Sequence, residues 1–299
     1  MHMIWSRRFI YGKEIFMKRK SSLCIALHLV FSIFLVAGAQ LFGQAPFKIL
    51  ISNDDGINAP GIAALFEKLS IIGTVTVAAP AQNSSGASHS MTFSEPILVM
   101  ESEKNGSKWF SIKATPATCV RLALESLVSE KPDLIVTGIN KGENLGTVTY
   151  YSGTVGCARE AAVKGIPAIA VSLANGPTMD YGPAAEFVAD LVRKLKENSL
   201  KPGVFLVVNV PNLPQDQIKG LMVVPQDTRP SYEFYERRVN PSGQVYFWNT
   251  YKELEPGQDK TDVWALRNGY ISIVPFQIDQ TSFDELKSLE SIKIGNWNK

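Results

Sequence analysis

Short apolar runs alternate with helical segments along most of this 299-residue chain, and this alternation constrains the fold more than any other feature. The runs Ile49–Ser52 and Thr74–Pro80 come first, and "PDLIVTGIN", "AIAVSL" and "VFLVVNVP" follow. Helical patterns such as "GIAALFEKL" and "AAEFVADLVRKLKEN" separate them. Strands joined by helices run parallel and are buried on both faces. We therefore expect an α/β fold with a mostly parallel sheet covered on both sides.

The pattern changes after Pro225. The segment "SYEFYERRVNPSGQVYFWNTY" alternates aromatic and polar residues around Asn240–Gly243, which predicts a long β-hairpin. An apolar strand, "YISIVPF", and a final helix, "TSFDELKSLESI" with Thr281 or Ser282 as its cap, follow. We therefore divide the chain into a leader (1–45), a catalytic core (46–225) and a carboxy-terminal part (226–299).

The leader has the layout of a signal peptide. A basic run, Lys18–Lys20, precedes the apolar run Leu23–Ala39, which ends in small residues. A transmembrane anchor is the alternative, but the run is shorter than the ~20 apolar residues of a typical span, and His28 and Ser32 interrupt it. We expect export to the periplasm or beyond, with cleavage near Ala39 or Ala45 and no stable membrane span afterwards.

Several kinds of chemistry are excluded by the residues outside the leader. His89 is the single histidine there, so a zinc site rich in histidine is excluded and any Ser-His-Asp triad would have to use it. Cys119 and Cys157 lie in apolar helical patterns and do not make a disulfide framework. The net charge of +2 argues against a nucleic-acid polymer as partner.

Three polar, glycine-containing loops follow predicted strands. They are Asn53–Asn58, Ala81–Ser90 and Asn140–Gly153. Ligands of open parallel sheets bind outside the carboxyl ends of the strands. If the three strands are neighbours, these loops converge on one edge of the sheet.

Asp54 and Asp55 bring two adjacent carboxylates to that edge. Neighbouring like charges repel each other and resist removal from water, and a divalent cation relieves both problems. With almost no histidine available the ligands are oxygens, which favours Mg²⁺ or Mn²⁺. The alternative is that Asp54 caps a turn and Asp55 is solvated.

Ser152, Gly153 and Thr154 stand immediately before the helical segment "VGCAREAAVKG". Free amides at the start of a helix bind phosphate well, although serine and threonine also cap helices in any protein. "NSSGAS" and "GINKGENLG" are, taken separately, compatible with plain loops. Neither a Walker loop nor a G-x-G-x-x-G fingerprint is present here.

Taken together, the motifs are far more specific. "SNDDG", "NSSGAS", "ATPATCV", "GIN" followed by "NLG", "YSGTV" and "IPAIAVSL" occur in this order, and "TD" and "GYISIVPF" follow. From about Lys48 to about Gln277 the sequence strongly resembles the survival protein E (SurE) family of nucleotidases. That resemblance implies a Rossmann-like three-layer sheet with a C-terminal β-hairpin extension.

The resemblance also implies an activity and a site. The expected activity is metal-dependent hydrolysis of nucleoside 5′- and 3′-monophosphates. The resemblance assigns one Mg²⁺ or Mn²⁺ per subunit to Asp54, Asp55, Ser85 and Asn140. It adds Asn144 to Ser152, Gly153 and Thr154 as phosphate contacts.

Assembly and location are implied as well. Family members form dimers or tetramers that exchange carboxy-terminal segments, so we expect a homodimer or homotetramer made through the hairpin. The family is usually cytoplasmic, which is the alternative to export. Family members often have basic residues where this chain has Gln82 and Ser84, which puts affinity for polyphosphate in doubt.

The expected chemistry needs no protein nucleophile. Hydrolysis of a phosphomonoester requires neutralised phosphoryl oxygens and an aligned water, both of which a metal supplies. Asp54 or Asp55 is the candidate catalytic group that orients or deprotonates the water. Two rival functions stay open: a non-catalytic nucleotide-binding sensor, and an exported phosphatase for a non-nucleotide phosphomonoester.

Overall fold

The structure is a computed structural model, and it describes residues 46–230, 232–252 and 260–292. The predicted leader, 1–45, lies outside the described residues, as does its predicted cleavage site. Among the described residues, no helix has the length and apolar character needed to cross a membrane.

A nine-stranded sheet forms the centre of the fold, in the order β3-β4-β2-β1-β5-β6-β7-β11-β8. Six of its eight pairings are parallel, and the β3–β4 and β7–β11 pairings are antiparallel. The mostly parallel sheet predicted from the sequence is confirmed. The strands are β1 (Lys48–Ser52), β2 (Thr74–Pro80), β3 (Val99–Lys104), β4 (Ser107–Ile112), β5 (Leu134–Lys141), β6 (Ala168–Leu173), β7 (Val204–Val210), β8 (Leu221–Val223), β9 (Tyr232–Val239), β10 (Val245–Lys252) and β11 (Ile271–Gln277).

Helices cover both faces of this sheet. The helices are α1 (Pro60–Leu69), α2 (Pro116–Leu122), α3 (Gly153–Val163), α4 (Gly182–Glu197), α5 (Asp262–Arg267) and α6 (Phe283–Glu290). Helices α1 and α4 pack with one apolar cluster of the sheet, and α2 and α3 pack with another on the opposite face. The result is the Rossmann-like three-layer α/β arrangement that the resemblance implied.

Local sequence explains how several elements begin and turn. Helices α1 and α2 start at Pro60 and Pro116, whose fixed backbone angle suits the first turn of a helix. Strands β3 and β4 are joined through Asn105 and Gly106, both with positive φ, as a tight hairpin turn requires.

The carboxy-terminal part divides between two sheets. Strands β9 and β10 pair only with each other, as the predicted long hairpin, and form a separate two-stranded sheet. Strand β11 instead enters the central sheet between β7 and β8, antiparallel to β7. The sequence analysis did not predict the three-residue strand β8 or the short helix α5. The boundary drawn at residue 225 stays a prediction.

Candidate active site

The three polar loops meet at one edge of the central sheet. Strand β1 pairs in parallel with β2 on one side and with β5 on the other. The carboxyl ends of all three strands therefore lie together, and the loops that follow them converge as expected.

Asp54 lies directly against the start of α3. Its side chain is 3% exposed, and its Oδ1 accepts a short hydrogen bond from the hydroxyl of Thr154. A Cβ placed on Gly153 would lie 2.9 Å from Asp54 Oδ2, so only glycine allows the helix to approach this closely. The positive end of the helix dipole therefore faces this carboxylate. Burial still dominates and raises the pKa of Asp54 to about 6.

Asp55 faces the loops that follow β2 and β5. Its Oδ2 accepts a hydrogen bond from the backbone amide of Lys141 at 3.0 Å, and the side-chain amide of Asn83 lies 3.4 Å from Oδ1. Burial raises the pKa of Asp55, and the amide of Lys141 works in the opposite direction. One carboxylate thus touches both neighbouring loops.

The negative charge of this pair is not offset by a nearby ion pair. Every ion pair in the described part of the chain joins other residues, and none includes Asp54 or Asp55. The charge of Lys141 acts to lower the pKa of Asp55 but forms no ion pair with it, and two adjacent desolvated carboxylates are the arrangement that a bound divalent cation stabilises. The donor set at this edge therefore fits a hard, oxygen-liganded metal ion.

Ser85 is tied to the same edge through its loop. The amide of Ser84 donates to the backbone oxygen of Asp54 at 2.7 Å, and the amide of Ser85 donates to Asn83 Oδ1 at 2.9 Å. Asn83 therefore links Ser85 to Asp55. The Ser85 side chain is exposed, and its hydroxyl has no hydrogen-bond partner in the described structure.

Asn140 ends the run of β5 residues that reach this edge, just after an irregularity in the β5–β6 pairing. Its side-chain nitrogen donates to the carbonyl oxygen of Gly142 at 2.7 Å. The other end of the amide, Oδ1, has no donor among the described residues. This oxygen is therefore free to accept or to ligate, and its role as a metal ligand stays a prediction.

The side chains predicted to contact phosphate have other partners in this structure. Ser152 Oγ accepts from the amide of Val155 as the cap of α3, and Thr154 donates to Asp54. The side-chain nitrogen of Asn144, which is 5% exposed, donates to Ser172 Oγ at 2.8 Å. Thr154 and Gly153 lie directly against Asp54, and contact of all four residues with phosphate stays a prediction.

His89, Cys119 and Cys157 do not form a nucleophilic catalytic site in the described structure. His89 Nε2 lies 2.9 Å from Glu160 Oε2 and pairs with that buried carboxylate, not with a serine or threonine hydroxyl. Cys119 and Cys157 are both buried and free, and burial raises the pKa of each thiol. Within the described ranges, no cluster of three or more His, Cys, Asp or Glu side chains is placed to hold a metal.

Two residues important for the site's geometry were missed in the sequence. Asn83, which lies within the "NSSGAS" motif, joins Asp55 to the Ser85 loop. Asp262, in the "TD" motif, is fully buried and accepts from the amides of Gly146 at 2.7 Å and Asp227 at 2.8 Å. Both residues belong to motifs that the chain shares with the SurE family, and that resemblance was the only sequence signal that could have identified them.

Comparison with known proteins gives a consistent picture. The family model described as "Survival protein SurE" matches residues 49–233. A "5'-nucleotidase SurE" of Syntrophobacter fumaroxidans is 41% identical over 253 residues, covering 84% of this chain and 99% of the relative. Another, from Geobacter sulfurreducens, is 41% identical over 250 residues, covering 82% and 93%. The crystal structure of the SurE protein from Aquifex aeolicus superimposes with a TM-score of 0.73 at 36% identity, covering 81% of this chain and 98% of that one. The chain belongs to the SurE family.

Proposed function

We propose that this protein is a metal-dependent phosphomonoesterase that hydrolyses nucleoside 5′-monophosphates, and 3′-monophosphates as well, to nucleoside and phosphate. The observation that carries the proposal is the adjacent pair of buried Asp54 and half-buried Asp55, neither of which forms an ion pair among the described residues, at the edge where three polar loops meet. The names of relatives about 40% identical over most of the chain, "5'-nucleotidase SurE", supply the substrate class.

The proposed metal ligands are Asp54, Asp55, Ser85 and Asn140, and the proposed ion is Mg²⁺ or Mn²⁺. Two anionic and two neutral oxygens suit a hard cation that keeps residual positive charge. When bound, the ion supplies charge neutralisation for a phosphoryl group and acidification of a water.

The chain's own residues supply position and proton transfer. Thr154 and the start of α3 fix Asp54, and the amide of Lys141 fixes Asp55. Asp54 and Asp55 are the groups placed to orient or deprotonate the attacking water. Free amides near Gly153 favour the incoming phosphate.

The test is phosphate release from a panel of phosphomonoesters after complete removal of divalent ions and their restoration one at a time. We expect release from nucleoside monophosphates only with Mg²⁺ or Mn²⁺ present, and none from Asp54→Asn. Binding of nucleotide and metal without release from any ester tested would instead support the sensor. Release confined to non-nucleotide esters would support the exported phosphatase.

We further propose that the β9–β10 hairpin mediates assembly into a dimer or tetramer. Among the hairpin side chains that the structure describes, four aromatic ones are more than half exposed: Phe234, Tyr235, Phe247 and Trp248 at 53%, 68%, 59% and 56%. Helix α6 exposes Phe283, Leu286 and Leu289 to a similar extent. Exposed apolar surface of this size marks an interaction site.

Light scattering of full-length protein and of a variant with β9–β10 replaced by a short glycine-serine loop tests the assembly proposal. We expect the full chain to be at least dimeric and the shortened chain to have a smaller mass per particle. An unchanged mass with an intact fold would contradict the role of the hairpin.

Export of the protein is proposed from the signal-like leader. Lys18–Lys20 and the apolar run Leu23–Ala39 support it. Amino-terminal sequencing of protein isolated from its native host should give a start near residue 40 or 46. An intact leader on cytoplasmic protein would contradict export.

A further inference from the structure

A cavity of about 480 Å³ lies beside the carboxylate pair, toward the β3 edge of the sheet. We call it the recess. Its floor and walls come from the ends of β2 and β4, at Pro80 and Ile112, from the start of β3, at Met100, and from the loop residues Asn83 and Ser84. Strand β2 lies between β4 and β1, so the recess lies on the β4 side of the strand that carries Asp54 and Asp55 at its end.

The recess and the carboxylate site share a wall. Asn83 lines the recess, and its side-chain amide lies 3.4 Å from Asp55 Oδ1. Ser84 also lines the recess, and its amide donates to the backbone oxygen of Asp54. A molecule whose reacting group sits at the carboxylates can therefore extend past this loop into the recess.

The lining of the recess suits a neutral group with flat apolar faces and a polar edge. Leu98 and Met100 are apolar and are 63% and 68% exposed, whereas the next four residues of β3, "ESEK", are polar or charged. The hydroxyl of Thr92 accepts from the amide of Thr115 and can still donate, and the side-chain amide of Asn83 has a second hydrogen beside the one directed at Asp55. Small-molecule sites combine these features at volumes of about 300–1,000 Å³.

The charges in the recess argue against a second anionic group. Of the lining residues in the described part of the chain, Glu95 and Lys113 are the charged ones, and their charges are opposite. The lining residues of the loop shared with the carboxylate site, Gln82, Asn83 and Ser84, are all neutral. A chain of phosphates would meet no net positive charge here, whereas a nucleobase needs none.

We propose that the recess binds the nucleoside of the substrate, with the base against Leu98 and Met100, while the phosphate lies at the carboxylate site. This inference rests on the proposed function and adds the surface that distinguishes a nucleotide from other phosphomonoesters. A recess of this kind gives nucleoside monophosphates an advantage over small esters and over tripolyphosphate.

The test compares wild-type protein with Met100→Asp and Leu98→Asp on three substrates: a purine nucleoside monophosphate, glycerol phosphate and tripolyphosphate. Both side chains are exposed, so the folded state should survive the substitutions. We expect KM for the nucleotide to rise roughly tenfold, the effect of losing an apolar contact in a binding pocket. Because that contact is the same before and during the reaction, kcat should be unchanged. KM for glycerol phosphate should also be unchanged.

Ile71→Asp is the matched control, because Ile71 is 76% exposed in the turn after α1 and lines no part of the recess. It should behave as wild type on every substrate. Adenosine binding measured by calorimetry gives a second readout, and it should weaken in the Met100→Asp and Leu98→Asp proteins only.

The outcomes distinguish failure of the proposed nucleoside site from failure of the proposed nucleotidase function. Suppose that the wild-type protein hydrolyses nucleotides. If both recess variants then behave as wild type, or lose as much activity on glycerol phosphate as on the nucleotide, the proposed nucleoside site is wrong and the proposed function stands. Wild-type protein that hydrolyses glycerol phosphate but no nucleotide would overturn the proposed substrate class and the recess together. Absence of metal-dependent hydrolysis of any ester would overturn the proposed enzyme itself.

Discussion

Thr154 donates a hydrogen bond from its hydroxyl to Asp54 Oδ1, and both side chains are buried. This hydrogen bond joins the first turn of α3 to the end of β1. The sequence assigned Thr154 to phosphate and Asp54 to the metal, as separate functions. The structure makes them one unit, so a change in either should affect the other.

Thr154→Val should weaken metal binding as well as substrate use. Valine has nearly the same shape but cannot donate, so Asp54 loses the hydrogen bond that favours its ionised form. We expect the affinity for Mg²⁺ or Mn²⁺, measured by calorimetry, to fall about tenfold to a hundredfold, as for other residues that orient a metal ligand. Thr154→Ser keeps the hydroxyl and is the control. If Thr154→Val kept wild-type metal affinity, Thr154 would act on substrate binding alone.

Asp54→Asn should abolish most metal binding and turnover while stabilising the metal-free fold. Burial raises the pKa of Asp54 from its ordinary value of 3.8 to about 6, so the folded protein holds a proton there that the unfolded chain has released. The wild-type free energy of unfolding therefore falls as pH rises from about 4 to about 6. At 1.36 kcal/mol per pKa unit, the loss has an upper limit of about 3 kcal/mol.

Urea unfolding of metal-free wild-type and Asp54→Asn proteins at pH about 4 and about 7 measures this difference. The advantage of the variant should be larger at the higher pH, because only the wild type ionises a buried carboxyl there. An advantage that is the same at both values would mean that Asp54 titrates near its ordinary pKa.

The edge where the loops meet was predictable because its determinants are local. The apolar run Ile49–Ser52 predicts a buried strand, and the polar residues after it indicate where the strand ends. The partner of Thr154 was not predictable in this way. It depends on how closely the start of α3 approaches Asp54, which the absence of a side chain at Gly153 allows only once both elements are packed.

The edge strand β8 likewise could not be predicted from the sequence. Strand β8, Leu221–Val223, has three residues and no periodicity to detect, and it forms because β11 presents a free edge to it. The long hairpin was predictable from the aromatic and polar alternation around Asn240–Gly243, since both strands and the turn lie within one continuous segment.

Glu160→Gln should destabilise the fold and loosen the loop that carries Ser85. Glu160 is 1% exposed, and its two oxygens pair with His89 at 2.9 Å and with Arg121 at 2.7 Å. Glutamine carries no charge and leaves the guanidinium of Arg121 without its carboxylate, so we expect a loss of about 1–3 kcal/mol in the free energy of unfolding at neutral pH. Glu125→Gln, which breaks an exposed ion pair with Lys164, is the control and should change little.

The effect of Glu160→Gln should also depend on pH. Burial raises the pKa of Glu160, but hydrogen bonds with His89 and Arg121 outweigh it and bring the pKa below its ordinary value of 4.5. The stabilisation is therefore complete above that value and is lost as pH falls through the lower pKa of the folded state. Unfolding curves of the two proteins should converge in acid, and curves that stay equally separated would contradict the assignment.

Gly156→Ala should impair the site even though alanine favours helices. In an exposed helix interior the substitution stabilises by roughly 1 kcal/mol. In α3, however, a Cβ on Gly156 would lie 2.1 Å from the backbone oxygen of Ser88, a distance that real contacts do not show. The amide of Ser88 is also bonded to the backbone oxygen of Tyr151 at 3.0 Å, so this loop is clamped to the start of the helix.

The loop must therefore move if Gly156 becomes alanine, and it carries Ser85 three residues before Ser88. We expect metal affinity to fall at least tenfold, since a small displacement of a ligand loop costs as much as loss of an orienting residue, and we expect the melting temperature to fall rather than rise. Gly182→Ala at the start of α4 is the control, because its nearest neighbour is the flexible side chain of Asp180 at 3.1 Å. If Gly156→Ala instead raised the melting temperature and kept wild-type metal affinity, packing of the Ser88 backbone against α3 would not position Ser85.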